Sequence, residues 1–158
     1  ILMLARFHTT LNRELIEEVE SWLLDNHFSN WATTDALSTL IITSLLRKFP
    51  ELISRVRNWT KLQNLWARRA SAVSLVQLAR KGQHLDTAYE IANSLFNDGE
   101  DLIHKATGWL LREAGKTDPN RLEAFLLKHG SRIPRTALRY AIERLPEEKR
   151  KQILIETK

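Results

Sequence analysis

NWATTDALSTLIITSLLRK, residues 30–48, is the stretch that decides the fold. Ser29-Asn30 separates it from the preceding apolar run, and Phe49-Pro50 ends it because proline cannot continue a helix. We therefore predict one long helix from about Trp31 to Lys48. Its apolar side chains recur every three or four residues, the period of an amphipathic α-helix, and they are Leu37, Leu40, Ile41, Leu45 and Leu46.

The same helical period runs through almost all of the remaining chain, and no segment alternates as a strand would. Glycine and proline mark many of the breaks between helices. The sequence therefore predicts an all-α protein. A helix remnant ends near His8, and the next predicted helix begins at Thr10-Leu11-Asn12. The helices predicted after residue 48 span Pro50 to Lys61, Gln63 to Gly82, Leu85 to Phe96, Glu100 to Lys116, Pro119 to Gly130 and Pro134 to Leu145, and a last one follows Pro146.

Alternate helices can be laid over one another in a repeat. Four matching pairs lie 34, 36 and 30 residues apart: Asp35-Ala36, Arg69-Ala70, Lys105-Ala106 and Arg135-Thr136. This spacing is typical of an α-solenoid, in which each helix pair buries its apolar face against its neighbours. We predict an α-solenoid of HEAT-like antiparallel helix pairs that forms a single domain over residues 1–158. Its concave surface would be basic.

The charged members of these pairs form a row of one acidic and three basic residues. Charged residues at solvated helix starts need no ligand, which is one interpretation. However, a cation near a helix N-terminus opposes the macrodipole and costs a few tenths of a kcal/mol. Over residues 61–158, eighteen Lys and Arg stand against twelve Asp and Glu, whereas residues 1–60 carry six against seven. A polyanion such as duplex DNA is therefore the favoured partner.

Several classes of function are disfavoured by composition. The chain has no cysteine, and its five histidines lack the spacing of metal ligands. No apolar run is long enough for a membrane span, and the first residues do not resemble a signal peptide. We expect a cytoplasmic monomer without metal or cofactor. Because the chain opens on Ile1 within an apolar stretch, we also expect residues to be missing upstream.

Trp31 and Asp35 lie four residues apart, so the indole and the carboxylate share one face of the predicted helix. The general expectation for such residues is a core tryptophan and a first-turn acid favoured by the macrodipole. The alternative is a functional pair, an aromatic surface beside a fixed negative charge. The residues alone leave both interpretations open.

Three motifs in order resemble the AlkD-like DNA alkylation repair family. They are Trp31-x-x-x-Asp35, then Trp66-Ala67-Arg68-Arg69-Ala70, then Lys105-Ala106-Thr107-Gly108-Trp109-Leu110-Leu111-Arg112-Glu113. The resemblance reaches from the second helix to about Arg144, and its third motif is the most specific. Family members are DNA glycosylases built from HEAT-like repeats. The resemblance therefore implies a base excision repair enzyme that removes purines alkylated at N3 or N7, of the 3-methyladenine and 7-methylguanine type.

The resemblance also implies roles for individual residues. Asp35 would be the catalytic carboxylate, and Trp31 and Trp109 the aromatic walls around the lesion nucleotide. Arg69 would hold the DNA backbone beside that site. Family members leave the lesion in the duplex, whereas most glycosylases extrude the target base. We assign further phosphate contacts to Lys105, Arg112 and Arg135.

Purely structural roles remain possible interpretations for several of these residues. Trp109 beside Gly108 fits a core position, because a glycine permits the close approach of another helix or of a ligand. Arg112-Glu113 fits a surface ion pair as well as a phosphate contact. Trp22, Trp59 and Trp66 are assigned to packing because each lies on an apolar stripe.

The chain departs from the family pattern in two places. Family chains carry further helices ahead of the point where this sequence starts, and some have a second tryptophan where Asn30 stands here. The second departure affects the preferred lesion more than the role of Asp35. The leading alternative function is a non-catalytic HEAT-like module that binds DNA or protein.

Overall fold

The computed structural model describes residues 11–158, and every regular element within that range is helical. The predicted helix remnant that ends near His8 lies outside the described residues. The chain divides into two compact units, with the boundary between Leu75 and Val76.

Within its described residues, 11–75, the first unit contains five α-helices linked by short turns. A π-helical turn, Ser38–Ile42, joins the second helix to the third, and 3-10 turns at Pro50–Leu52 and Trp59–Lys61 flank the fourth. The helices are α1 (Leu15–Leu24), α2 (Trp31–Leu37), α3 (Thr43–Lys48), α4 (Ile53–Asn58) and α5 (Leu65–Val73).

Helix α5 is the element on which the first unit packs. Helices α1, α2 and α4 and the π-helical turn all contact it. Its small buried side chains, Ala67, Ala70 and Ala72, let these neighbours approach closely. The Asn64 side chain caps the helix by accepting hydrogen bonds from the amides of Trp66 and Ala67.

The second unit contains the remaining helices of the described range, with a 3-10 turn at Gly130–Arg132. These helices are α6 (Val76–Ala79), α7 (Leu85–Ser94), α8 (Asp101–Ala114), α9 (Pro119–His129), α10 (Arg135–Ile142) and α11 (Glu147–Glu156). Helix α8 is central here, because α6, α7, α9 and α10 all contact it. The Asp118 carboxylate and Pro119 start α9 as the sequence predicts.

The predicted all-α class is confirmed in the described residues, whose helices are consistent with an α-solenoid type of fold. The concave basic surface stays a prediction. Two segments differ in detail from the sequence-based expectation. The helix predicted from Gln63 to Gly82 is interrupted at Ser74-Leu75, and the helix predicted from Trp31 to Lys48 contains the π-helical turn.

The tryptophans assigned to packing are buried to different degrees. Trp59 is 1% exposed, which confirms its place in the core. Trp22 is half-buried, and its ring centroid lies 6.2 Å from that of Phe28. Trp66 is also half-buried, at the start of α5.

Candidate active site

Asp35 and Arg69 form a bidentate ion pair in the first unit. Arg69 Nε donates to Asp35 Oδ1 and Arg69 Nη2 donates to Asp35 Oδ2, each at 2.8 Å. Arg69 is 6% exposed, and the Asp35 side chain keeps 16% of its surface accessible. Two parallel charge-assisted hydrogen bonds fix the plane of the carboxylate as well as its position.

The pair joins two helices at matching positions. Asp35 is the fifth residue of α2 and Arg69 the fifth residue of α5, so residues one repeat apart in the sequence meet in space. Asn30 fixes the start of α2, because its side chain accepts the Thr33 amide at 3.0 Å. The Thr34 hydroxyl adds a 2.8 Å hydrogen bond to the carbonyl of Phe28.

Trp31 is the first residue of α2 and lies one turn before Asp35. Its side chain is 59% exposed, although a tryptophan at a helix start is more often part of a core. The core interpretation of this residue is therefore wrong. An exposed indole one turn from a fixed carboxylate is a suitable surface for a flat or positively charged ligand.

The carboxylate retains capacity for another ligand. An ionised carboxyl group can accept about four hydrogen bonds, and the fork of Arg69 uses one on each oxygen. The accessible part of the Asp35 side chain could therefore face a cation or a water molecule. The sequence predicts separate roles for Asp35 and Arg69, and their mutual contact was not predicted.

Trp109 lies on α8 in the second unit, between two other residues of the predicted site. Lys105, Trp109 and Arg112 are spaced by four and three residues, so they share one face of the helix, and all three are partly exposed. Trp109 is therefore not a fully buried core residue. This face combines an indole with two cations, a composition that suits nucleic acid.

Both cations on this face have acidic neighbours. Lys105 Nζ lies 2.7 Å from Asp101 Oδ2, one turn earlier in α8. This contact is the main reason that the pKa of Asp101 lies below its ordinary value, and a hydrogen bond with Thr136 adds to the effect. Arg112 pairs with Glu143 through Nη1 and approaches Glu113 Oε1 to 3.4 Å. The predicted Arg112–Glu113 ion pair is thus present.

Glu113 is the buried member of this charge cluster, with 5% of the residue exposed. Besides Arg112, it accepts Lys116 Nζ at 2.5 Å and lies 3.8 Å from Arg80 Nε. A buried carboxylate requires such partners, because an unpaired charge in the interior is very unfavourable. This role was not predicted from the sequence, because only Arg112 and Lys116 lie near Glu113 in the chain and Arg80 is 33 residues away.

Gly108 explains how α8 and α10 come together. A Cβ atom at this position would lie 2.5 Å from the carbonyl oxygen of Ala137 and would also overlap the Cβ of Tyr140. Glycine is therefore required for the approach of α10. The sequence left open whether Gly108 permits the close approach of another helix or of a ligand, and the structure shows the approach of a helix.

Arg135 is the first residue of α10 and is exposed. Its guanidinium makes long hydrogen bonds of 3.3 to 3.4 Å with the Leu154 carbonyl and with the carbonyl and hydroxyl of Thr157. These acceptors lie at the C-terminal end of α11, where a cation is favoured by the helix dipole. All three basic residues of the predicted row thus have an acceptor within their own unit.

Residues 11–158 contain no group of three acidic or histidine side chains that could hold a metal ion. Over the same residues, no helix combines the length and the apolar character needed to cross a membrane.

The described residues form an all-helical protein of solenoid type in which a buried arginine holds a partly accessible carboxylate, one helical turn from an exposed indole. It belongs to the family of DNA alkylation repair enzymes, whose family model matches residues 1–145. A search among curated proteins finds no match. The family match confirms the resemblance derived from the three motifs, and DNA is the substrate that the family suggests.

Proposed function

We propose that this protein is a DNA glycosylase that removes purines carrying a positive charge after alkylation at N3 or N7. The observation that carries the proposal is the Asp35 carboxylate, fixed by Arg69 and still partly accessible, one turn from the exposed Trp31. In the proposed reaction Asp35 is the catalytic carboxylate.

The chemistry requires little more than this arrangement. A cationic alkylated purine is already a good leaving group, so no strong general acid is needed. As the N-glycosidic bond breaks, positive charge develops on the deoxyribose, and a preorganised carboxylate stabilises it. The same carboxylate can orient the water that attacks C1′. An indole face next to the sugar adds a cation–π contribution of about 0.5 to 2 kcal/mol.

Arg69 has two roles in this proposal. Its contact with Asp35 holds the carboxylate before substrate binds, which lowers the reorganisation needed in the transition state. By family resemblance it also holds the DNA backbone. Because the Nε side of the guanidinium already serves Asp35, a phosphate would have to approach the opposite side of the group.

The second unit would contribute binding to DNA. We propose that Trp109 provides an aromatic contact and that Lys105, Arg112 and Arg135 contact phosphates. Each of these three cations would weaken or give up its present contact, with an acidic side chain for Lys105 and Arg112 and with carbonyl and hydroxyl oxygens for Arg135. Aromatic and basic side chains together suit a nucleic-acid surface. The lesion would stay in the duplex, as in the family, instead of being extruded.

The test is release of 7-methylguanine and 3-methyladenine from methylated duplex DNA. Asp35→Asn should lower the rate of release by about 100-fold or more, because it removes the charge that stabilises the transition state. Asp25→Asn, at an exposed acid that ends α1, is the matched control and should keep the wild-type rate. Equal rates for Asp35→Asn and wild type would refute the assignment of Asp35.

A second candidate function is a non-catalytic module that binds DNA or protein. The observation that favours it is the Asp35–Arg69 contact itself, since a bidentate ion pair with a buried arginine can serve structure alone. Such a module would bind methylated duplex without releasing a base. If binding also failed to weaken with added salt, a DNA-binding role would be excluded and a protein partner favoured.

A further inference from the structure

The π-helical turn Ser38–Ile42 begins three residues after Asp35 and sets which way that residue faces. The buried side chains of this region recur every four residues, with Thr34, Ser38, Ile42 and Leu46 in one row. In a regular α-helix, 12 residues rotate about 120° past three full turns. The one residue added by a π-helical turn takes up most of that drift and keeps the row on one side.

Asp35 belongs to a second row with the same spacing, Asp35, Thr39 and Thr43. The Thr39 hydroxyl donates to the Asp35 carbonyl at 2.7 Å. Thr43 is fully buried at the end of this row. If the wide turn relaxed to a regular helix, residues before it would rotate by about 100° relative to those after it. The Asp35 carboxylate would then turn away from Arg69.

Thr43 is the residue that connects this turn to α5. Its hydroxyl lies 2.9 Å from the Ser38 carbonyl, inside the turn, and 2.8 Å from the carbonyl of Ser74, where α5 ends. The same two segments are tied a second time by Asp35 and Arg69. The turn is thus held between two contacts with α5, one on each side.

We infer that Thr43 is a positioning residue for Asp35, because its hydroxyl holds the π-helical turn in the register that directs the carboxylate to Arg69. The inference rests on the proposed function only where activity is concerned. The contact between Asp35 and Arg69 can be measured without any substrate.

The first measurement is the energetic coupling between Asp35 and Arg69. Urea unfolding of wild type, Asp35→Asn, Arg69→Gln and the double variant yields a coupling factor. This factor is the ratio between the unfolding equilibrium constant measured for the double variant and the constant expected if the two changes acted independently. Thr43→Val should lower this factor at least about fivefold, the equivalent of one hydrogen bond. Thr43→Ser, which keeps the hydroxyl, should preserve it.

Thr60→Val is the matched control for loss of a buried hydroxyl. The Thr60 hydroxyl donates to the nearby Arg57 carbonyl at 2.8 Å, and the residue is 9% exposed. This variant should leave the coupling factor unchanged. If Thr43→Val does not fold, Thr43→Cys replaces it, since a thiol is a weaker donor and should give an intermediate loss relative to Thr43→Ser.

The second measurement is base release. Thr43→Val should lower kcat about 10- to 100-fold, because misplacement by about 1 Å has effects of that size. Its affinity for unmodified duplex should stay within about twofold of wild type, and Thr43→Ser should restore kcat. An unchanged coupling factor in Thr43→Val would overturn the inference. If wild type releases no base, the proposed function fails, and the coupling factor still decides the role of Thr43.

Discussion

Arg69 in the first unit and Lys105 in the second occupy the same place in their helices, the fifth residue of α5 and of α8. Their surroundings differ. Arg69 is buried and grips a carboxylate from another helix with two hydrogen bonds, whereas the Lys105 side chain is 41% exposed and pairs with an acid one turn earlier in its own helix. A shared repeat position therefore does not imply a shared role.

The comparison separates fixed charge from adaptable charge. The pair in the first unit has little freedom, because the guanidinium fork matches the carboxylate plane. The flexible ammonium of Lys105 can exchange Asp101 for a phosphate at little cost, since exposed pairs are weak. We expect the first unit to supply the preorganised group and the second unit to supply adjustable contacts.

The largest effect should come from Arg69→Ala, which leaves the Asp35 carboxylate without its partner. Loss of one member of a buried ion pair destabilises by about 3 to 5 kcal/mol, and the partial exposure of Asp35 places the expected loss near the lower end. Urea unfolding measures it. If Lys105→Ala were equally destabilising, the distinction between a fixed charge at Arg69 and an adaptable charge at Lys105 would be wrong.

A second large effect should come from Gly108→Ala, because α8 has no room for a side chain against α10. Overpacking of this kind costs about 1 to 3 kcal/mol in the free energy of unfolding. Gly99→Ala is the control, since a Cβ at Gly99 would meet nothing within 4 Å. Equal thermal stability of the two variants would show that α10 can move away without loss.

The helices of this protein could be predicted from the sequence because their signals are local. Asn64, Asp118 and Pro119 mark helix starts by chemistry that needs no tertiary partner. The π-helical turn was missed because the prediction assumed a period of 3.6 throughout residues 31–48. The four-residue spacing of Thr34, Ser38, Ile42 and Leu46 is recognisable only from their burial, because Thr34 and Ser38 are polar and do not extend an apolar stripe.

The site residues were predicted by resemblance, but their contacts could not be. Nothing local in the sequence indicates that Arg69 meets Asp35, 34 residues away, because that contact depends on how α2 and α5 pack. The cost of basic residues near helix starts led to the expectation of an external anion. The structure supplies acceptors inside each unit, so these cations do not require an external anion.

A smaller effect should follow from Lys105→Ala when binding to unmodified duplex is measured against salt. If Lys105 contacts a phosphate, the negative slope of log affinity against log salt concentration should become shallower by about one. Lys151→Ala is a close control, because Lys151 also pairs with an acid one turn earlier, Glu147, and is more exposed. If the slope became shallower by the same amount in both variants, the salt dependence would reflect the overall charge of the protein and not a defined phosphate contact of Lys105.

The smallest expected effect is a pH dependence that belongs to the exposed pair of the second unit. Since the folded-state pKa of Asp101 is lowered from 3.8, chiefly by Lys105, the pair stabilises the fold above that pH and loses its contribution as the pH falls through the lowered pKa. Wild type should therefore be slightly more stable than Lys105→Ala at neutral pH, and the difference in unfolding free energy should vanish in acid. In the Asp101→Asn background, proteins with and without Lys105→Ala should be equally stable at every pH, because the charge that Lys105 stabilises is then absent. A difference that persisted below the lowered pKa would mean that Lys105 contributes through packing of its alkyl chain.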